Sequence, residues 1–141
     1  MDNQQITITV EATVDAALGK VWACWTLPKH ITQWNHAADS WYTPHATNDL
    51  RVGGHFLWRM EARDGSFGFD FTGVFDEVKV NELIAYTLGD GRKVQISFTA
   101  IGAQTKVVEI FEPENENSLE LQQGGWQAIL DNFKKYTEAN T

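Results

Sequence analysis

Four histidines, one cysteine and nineteen acidic side chains are the groups from which this sequence can build chemistry. His30, His36, His45 and His55 lack the close pairing of a zinc site, so no metal centre is expected. Cys24 has no second cysteine to bond with, and a buried thiol on a short helix beside two tryptophans is expected to be inert. General acid–base work needs a titratable group held in a pocket with a shifted pKa. The candidates are Glu109, Tyr86 and Asp70. Glu109 and Tyr86 lie on strands whose facing the pattern leaves open. Asp70 falls between two phenylalanines expected to point inward, which turns it outward. Tyr86 can donate a hydrogen bond to a carbonyl, or serve as a buried structural tyrosine. No Ser-His-Asp pattern, phosphate loop or dinucleotide fingerprint is present, and Gly53-Gly54 alone is not one. No catalytic residue is assigned and no cofactor is expected.

A second kind of chemistry is apolar. Six Trp, eight Phe and three Tyr make 12% of the 141 residues aromatic. Such rings either fill a bulky core or line a pocket that the core leaves open. The residues that strand and helix parity bring together are Trp41, Phe56, Trp58, Met60, Phe71, Phe75, Phe98, Trp126, Ile129 and Phe133. With Tyr86 and Gln122 they form the candidate ligand-binding set. Gln122 on the inward helix face either orients a ligand or is a half-exposed first-turn residue.

The elements that would position these groups follow from periodicity. Residues Ile6 to Val14 alternate, with Ile6, Ile8, Val10, Ala12 and Val14 on one side and Thr7, Thr9, Glu11 and Thr13 on the other, as in a half-buried strand. Asp15 offers an N-cap for a short helix with the stripe Leu18, Val21, Trp22 and Trp25. Pro28 then starts a second short helix that buries Ile31 and Trp34. Ser40 to Thr43 is a candidate strand with Trp41 inward. Gly53-Gly54 marks a turn. Phe56, Trp58 and Met60 alternate up to the Asp64-Gly65 hairpin, and the chain returns with Phe67, Phe69, Phe71, Gly73 and Phe75 on one parity. Gly73 in mid-strand implies a bulge or a close backbone approach. Leu83 to Leu88, the Asp90-Gly91 turn, Val94 to Ala100, Gly102 and Thr105 to Phe111 complete a run of hairpin-linked, antiparallel strands. A helix from about Ser118 to Thr137, with Asn117 and Glu120 resembling a capping box, carries Gln122, Trp126, Ile129, Leu130, Phe133 and Tyr136 on one stripe. Gly124-Gly125 inside it costs roughly 1 kcal/mol per glycine, which suggests close packing or a surface left open.

Several of these segments occur together in a known order. Val21-Trp22-Ala23-Cys24-Trp25-Thr26 with Pro28 and Trp34, Asn48 to Gly54, Asp64-Gly65-Ser66, Phe71-Thr72-Gly73-Val74-Phe75 and Gly125-Trp126 resemble the START-like (SRPBCC) superfamily. The closer likeness is to the Activator of Hsp90 ATPase homologue C-terminal-domain-like family, and it covers almost the whole chain. The resemblance implies an α+β helix-grip fold: a curved antiparallel sheet wrapped around a long C-terminal helix, with two short helices after the first strand. It also implies a deep, mostly apolar cavity between sheet and helix. Superfamily members use such cavities for lipids, sterols, polyketides, flavonoids and plant hormones, and some act as cyclases or aromatases. The eukaryotic co-chaperones carry an additional N-terminal domain; 141 residues leave no room for one, which weighs against a co-chaperone role.

Composition bounds the rest. A formal net charge of −8 repels phosphate backbones, so nucleic-acid binding is disfavoured. No stretch approaches a membrane span, the polar start Met1 to Gln5 is no secretory signal, and one cysteine suits the reducing cytoplasm. Residues 1–141 are expected to form one domain, with a homodimer possible. The leading expectation is a cytoplasmic binding protein for a hydrophobic, ring-containing or lipid-like small molecule. The alternatives are a cyclase, dehydratase or hydrolase acting on such a ligand, and a chaperone-activator-like interaction module. An inward acid or base would favour the enzyme; a large exposed apolar patch would favour the module. Trp58→Ala and Phe133→Ala are expected to weaken binding more than they lower stability.

Overall fold

β-Branched alternation, Gly-containing turns and one long amphipathic stripe produce seven strands and three helices in the computed structural model, which describes residues 6–140. The segment read as a signal-free start, 1–5, lies outside the described residues. In chain order the elements are β1 (Ile8–Val14), α1 (Leu18–Thr26), α2 (Pro28–Trp34), β2 (Trp41–Asn48), β3 (His55–Ala62), β4 (Gly68–Lys79), β5 (Leu83–Leu88), β6 (Lys93–Ile101), β7 (Gln104–Phe111) and α3 (Leu119–Ala139). The strands form one antiparallel sheet in the order β1-β7-β6-β5-β4-β3-β2, so the two strands that flank the short helices in sequence are its edges. The curled sheet, the C-terminal helix and the two short helices after β1 are the helix-grip fold.

Glycines make the bends. Gly53, Gly65, Gly91 and Gly102 all adopt positive φ at the turns read from the sequence. At the Gly53-Gly54 turn the backbone is stitched to β4 by Gly53 N–H donating to Phe75 O (2.8 Å) and Phe75 N–H donating to Gly54 O (2.9 Å). A Cβ on Gly54 would stand 2.0 Å from Asp49 O, so no other residue fits there. Gly73 answers to a different need. A Cβ there would meet the Phe56 ring at 2.6 Å, so the missing side chain is the space the ring occupies.

Two caps differ from expectation. The Asp15 backbone N–H is taken by the Glu138 carboxylate at 2.8 Å, and the chain stays extended through Ala17, which caps α1 without a side-chain bond. At α3 the cap falls on Ser118, whose Oγ accepts from Leu121 N–H (3.1 Å), while Asn117 turns back to Glu114. The strand expected over 40–43 runs on to Asn48 despite Pro44. A register shift between Tyr42 and His45 absorbs the proline on this edge strand.

The interior is closed at one end. Trp25, Trp34 and Phe133 meet pairwise with ring centroids 4.8–4.9 Å apart, and Trp22 and Trp25 set their edges on Phe98 at 5.2 and 5.9 Å. These rings are held by α1 and α2 packed under the sheet and by the second half of α3. Trp34 is anchored by its indole N–H donating to Cys24 O at 2.9 Å.

Candidate functional site

At the other end the rings pack on one another around a space they do not fill. A cavity of about 300 Å³ lies between the sheet and the first half of α3. Its walls are Trp25, Trp58, Met60, Phe71, Trp126 and Ile129. Buried Trp34, Tyr86 and Glu109 mark its deep side, and exposed Phe69 and Asn117 its mouth. Trp126 stacks flat on Phe111, centroids 3.8 Å apart, and faces Phe71 at 6.3 Å. Trp58 donates its indole N–H to Asn48 Oδ1 (2.9 Å), and Asn48 in turn donates to Thr26 O (2.7 Å). With its one polar atom satisfied outside, Trp58 offers the cavity only hydrocarbon.

The Gln122 amide is spent. Its Nε2 donates to Glu114 O (3.1 Å) and Asn117 O (2.9 Å), and its Oε1 accepts Glu114 N–H (2.8 Å). It clamps the loop over the mouth. The Glu114 carboxylate accepts the backbone N–H of Asn117 (2.7 Å), the Asn117 side chain (2.7 Å) and Glu116 N–H (3.0 Å), which hold it below its ordinary pKa. Arg92, also on the lining, donates its Nε to Asp90 Oδ2 at 2.8 Å.

Two oxygen-bearing side chains inside the cavity are not spent. Glu109 is 6% exposed and Tyr86 3%. Neither makes a side-chain hydrogen bond among the described residues. Burial raises the Glu109 carboxyl from 4.5 to about 8. Burial first, and the neighbouring Glu109 second, push the Tyr86 phenol well above its usual 10. Near neutral pH both are therefore predominantly un-ionised O–H groups.

Of the sequence-derived ligand set, the structure brings Trp58, Met60, Phe71, Tyr86, Gln122, Trp126 and Ile129 to the cavity. Phe56, Phe75, Phe98 and Phe133 do not line it; they are 0–4% exposed and fill core. Phe56 packs on Phe75, Tyr86 and the Gly73 backbone, and Phe133 is held between Trp25 and Trp34. Trp41 also stays off the lining. It shares the concave face with Ala62 but sits at the far end of the β3–β4 hairpin, against Phe67 and Phe69. Phe67 is 62% and Phe69 39% exposed, because the helices pack elsewhere on the sheet.

Among the three acid–base candidates, Asp70 points outward and pairs with Arg59 at 3.3 Å, while Glu109 and Tyr86 point inward. The facing of Glu109 stays open in the sequence because β7 carries apolar residues on both faces, Val107 and Phe111 inside, Val108 and Ile110 half-buried outside. The findable signal was the series Thr105, Val107, Glu109, Phe111, all buried. Trp25, Trp34, Asn35, Phe69, Arg92, Glu114 and Asn117 also line the cavity without having been singled out. His30 and His36 pack instead against Tyr136 (2.6 Å) and Asn132 (2.8 Å) on α3. Among the described residues no group of three His, Cys, Asp or Glu converges as a metal site, and no helix is long and apolar enough to cross a membrane.

A family model described as Activator of Hsp90 ATPase homolog 1-like protein matches residues 15–138. The chain belongs to this family. Solved structures agree. An AHSA1-like protein from Aeromonas hydrophila is 41% identical, with a TM-score of 0.90, over 96% of this chain and 94% of that one. A Cytophaga hutchinsonii protein is 56% identical, with a TM-score of 0.80, over 96% and 93%. A Nitrosomonas europaea protein is 17% identical, with a TM-score of 0.82 over 99% and 98%, and shares the fold. Among curated proteins no match was found. The helix-grip fold of this Activator of Hsp90 ATPase homolog 1-like chain thus surrounds a hollow with aromatic walls and two un-ionised acids inside it.

Proposed function

We propose that residues 1–141 act as one binding domain for a hydrophobic, ring-containing small molecule, seated in the cavity between the sheet and α3. The observation that carries this reading is the cavity itself: about 300 Å³, walled by Trp25, Trp58, Phe71 and Trp126, and open at one end. Concave apolar sites of this size with few polar groups suit compact ligands. The proposal sets this binding in the cytoplasm, where Cys24 stays reduced. Intrinsic tryptophan fluorescence, titrated with flavonoids, sterols and fatty acids, tests it. Saturable quenching by a ring-containing class is expected; no response from any class would contradict it.

A second reading is favoured by one observation, the inward Glu109 with its raised pKa. A carboxyl that titrates near 8 is matched to proton transfer at neutral pH, as an enzyme acting on the same ligand would require. Conversion of a bound compound, lost in Glu109→Gln with binding retained, would support it. The exposed Phe67 and Phe69 rings, with half-buried Trp41 against them, adjoin the mouth through Phe69, so they read as its apolar flank rather than as a separate interaction module.

A further inference from the structure

Every group around the cavity can be asked where its polar atoms go. Trp58 is satisfied by Asn48, Gln122 by the 114–117 loop, and Arg92 by Asp90. Asn35 donates to Thr43, and Thr43 donates back to Asn35 O at 2.6 Å. Glu114 is saturated by the N–H groups of its own loop. Among the described residues Glu109 on β7 and Tyr86 on β5, separated by β6, make no side-chain hydrogen bond; the indole N–H groups of Trp25 and Trp126 on the walls are likewise unbonded, but they sit on the aromatic wall and cannot ionise. Val94 pairs with Tyr86 and Ile96 with Glu109, so the two side chains stand on the same concave face, one register step apart. Both are more than nine-tenths buried and both line the hollow. Their oxygens are not sealed in protein but open onto the hollow, so whatever occupies the hollow is what they can donate to.

We infer that Glu109 and Tyr86 form a two-donor recognition site for an oxygen acceptor, the carbonyl of a ring-bearing ketone, lodged at the deep end of the cavity. The inference rests on the binding reading above and names the polar group its ligand carries. Two neutral O–H groups donate to one carbonyl oxygen while the aromatic walls hold the rings. An ammonium ligand would also satisfy a carboxylate here, but Glu109 would first have to lose its proton to solvent in a site where burial disfavours the charge. It would also meet Arg92 on the way in. The ionisable or charged groups on the lining are Tyr86, Glu109, Arg92 and Glu114, and the last two are already paired at the mouth.

The test compares three molecules of one shape: naphthalene, acetonaphthone and naphthylmethylamine. Their dissociation constants are measured by fluorescence near neutral pH and at about pH 9.5 for the wild type, Glu109→Gln and Tyr86→Phe. Acetonaphthone is expected to bind the wild type at least tenfold more tightly than naphthalene. If only protonated Glu109 binds the ketone, a carboxyl titrating at about 8 weakens it roughly thirtyfold at about pH 9.5. Glu109→Gln, which keeps a donor and cannot ionise, should remove that pH dependence. Tyr86→Phe should weaken the ketone several-fold and leave naphthalene unchanged. Far-UV circular dichroism checks that both isosteric variants fold. Equal affinity for ketone and hydrocarbon, with the same pH profile, would overturn the donor pair and leave the binding pocket standing. Preference for the amine would overturn it in favour of an ion pair. Binding of none of the three would remove the pocket as well.

Discussion

The two ends of the interior are built from the same kinds of residue and behave differently. Under α1 and α2, Phe133 sets its ring edge to face against Trp25 and Trp34, which tilt against each other, and the three close that end of the hollow. Under the first half of α3, Trp58, Phe71 and Trp126 stand around a hollow. The difference lies in what covers the sheet. Two short helices bring Trp22, Trp25, Ile31 and Trp34 down onto one end. The other end has only the opening turns of α3, where Gly124 and Gly125 carry no side chain and a Cβ on either would meet nothing within 4 Å. Aromatic content alone therefore decides neither core nor pocket; the number of elements delivering side chains to a given volume does.

That contrast can be broken at defined points. The largest effect is expected from the buried carboxyl inside the hollow. The folded chain keeps Glu109 protonated up to about pH 8, whereas the unfolded chain releases that proton near 4.5. Between those values the native state holds more protons, so stability falls as pH rises, by up to about 5 kcal/mol once both limits are passed. Glu109→Leu removes this term. Its stability advantage over the wild type in urea denaturation should grow from about pH 5 to about pH 9 and then level off.

Phe133→Ala comes next. Phe133 is fully buried between Trp25 and Trp34 in the closed end, so its truncation should cost about 3–5 kcal/mol. This replaces the expectation that Phe133 acts mainly through a ligand. Ile129→Ala, half-buried on the cavity wall, should cost clearly less in the same denaturation measurement, because it enlarges a space that is already open. Equal losses at the two sites would erase the distinction between the ends.

The smallest effect is a gain. Gly124 is exposed in mid-helix with open space around it, so Gly124→Ala should raise stability by about 1 kcal/mol. A shift of the thermal midpoint upward checks this; a loss would mean that the helix needs its glycine there.

Much of this architecture was legible in the residues, and the reasons are local. The β1 alternation, Pro28 at the start of α2 and the four turn glycines each state a backbone preference that the fold keeps. The Gly73 gap was legible as a close approach, though not that Phe56 would fill it. Facing on β7 was not, since Val107 and Phe111 on one side and Val108 and Ile110 on the other satisfy either choice. For the same reason the sequence names Glu109 as a candidate acid but does not turn it inward, into the cavity whose most chemically distinctive residue it is. Nor does a phenylalanine say whether its neighbours will close over it, which is why Phe98 and Phe133 looked like pocket wall and are core.

The central claim is that one end of this interior is hollow and receives a ring, and the six indole N–H resonances report on it directly. In a two-dimensional NMR titration with acetonaphthone, Trp58 and Trp126 on the cavity wall should shift progressively and saturably. Trp22, packed on Phe98, and Trp41, beside Phe67, should stay in place. Movement of Trp22 or Trp41 with Trp58 and Trp126 unmoved, or no movement at all at saturating ligand, would contradict the account.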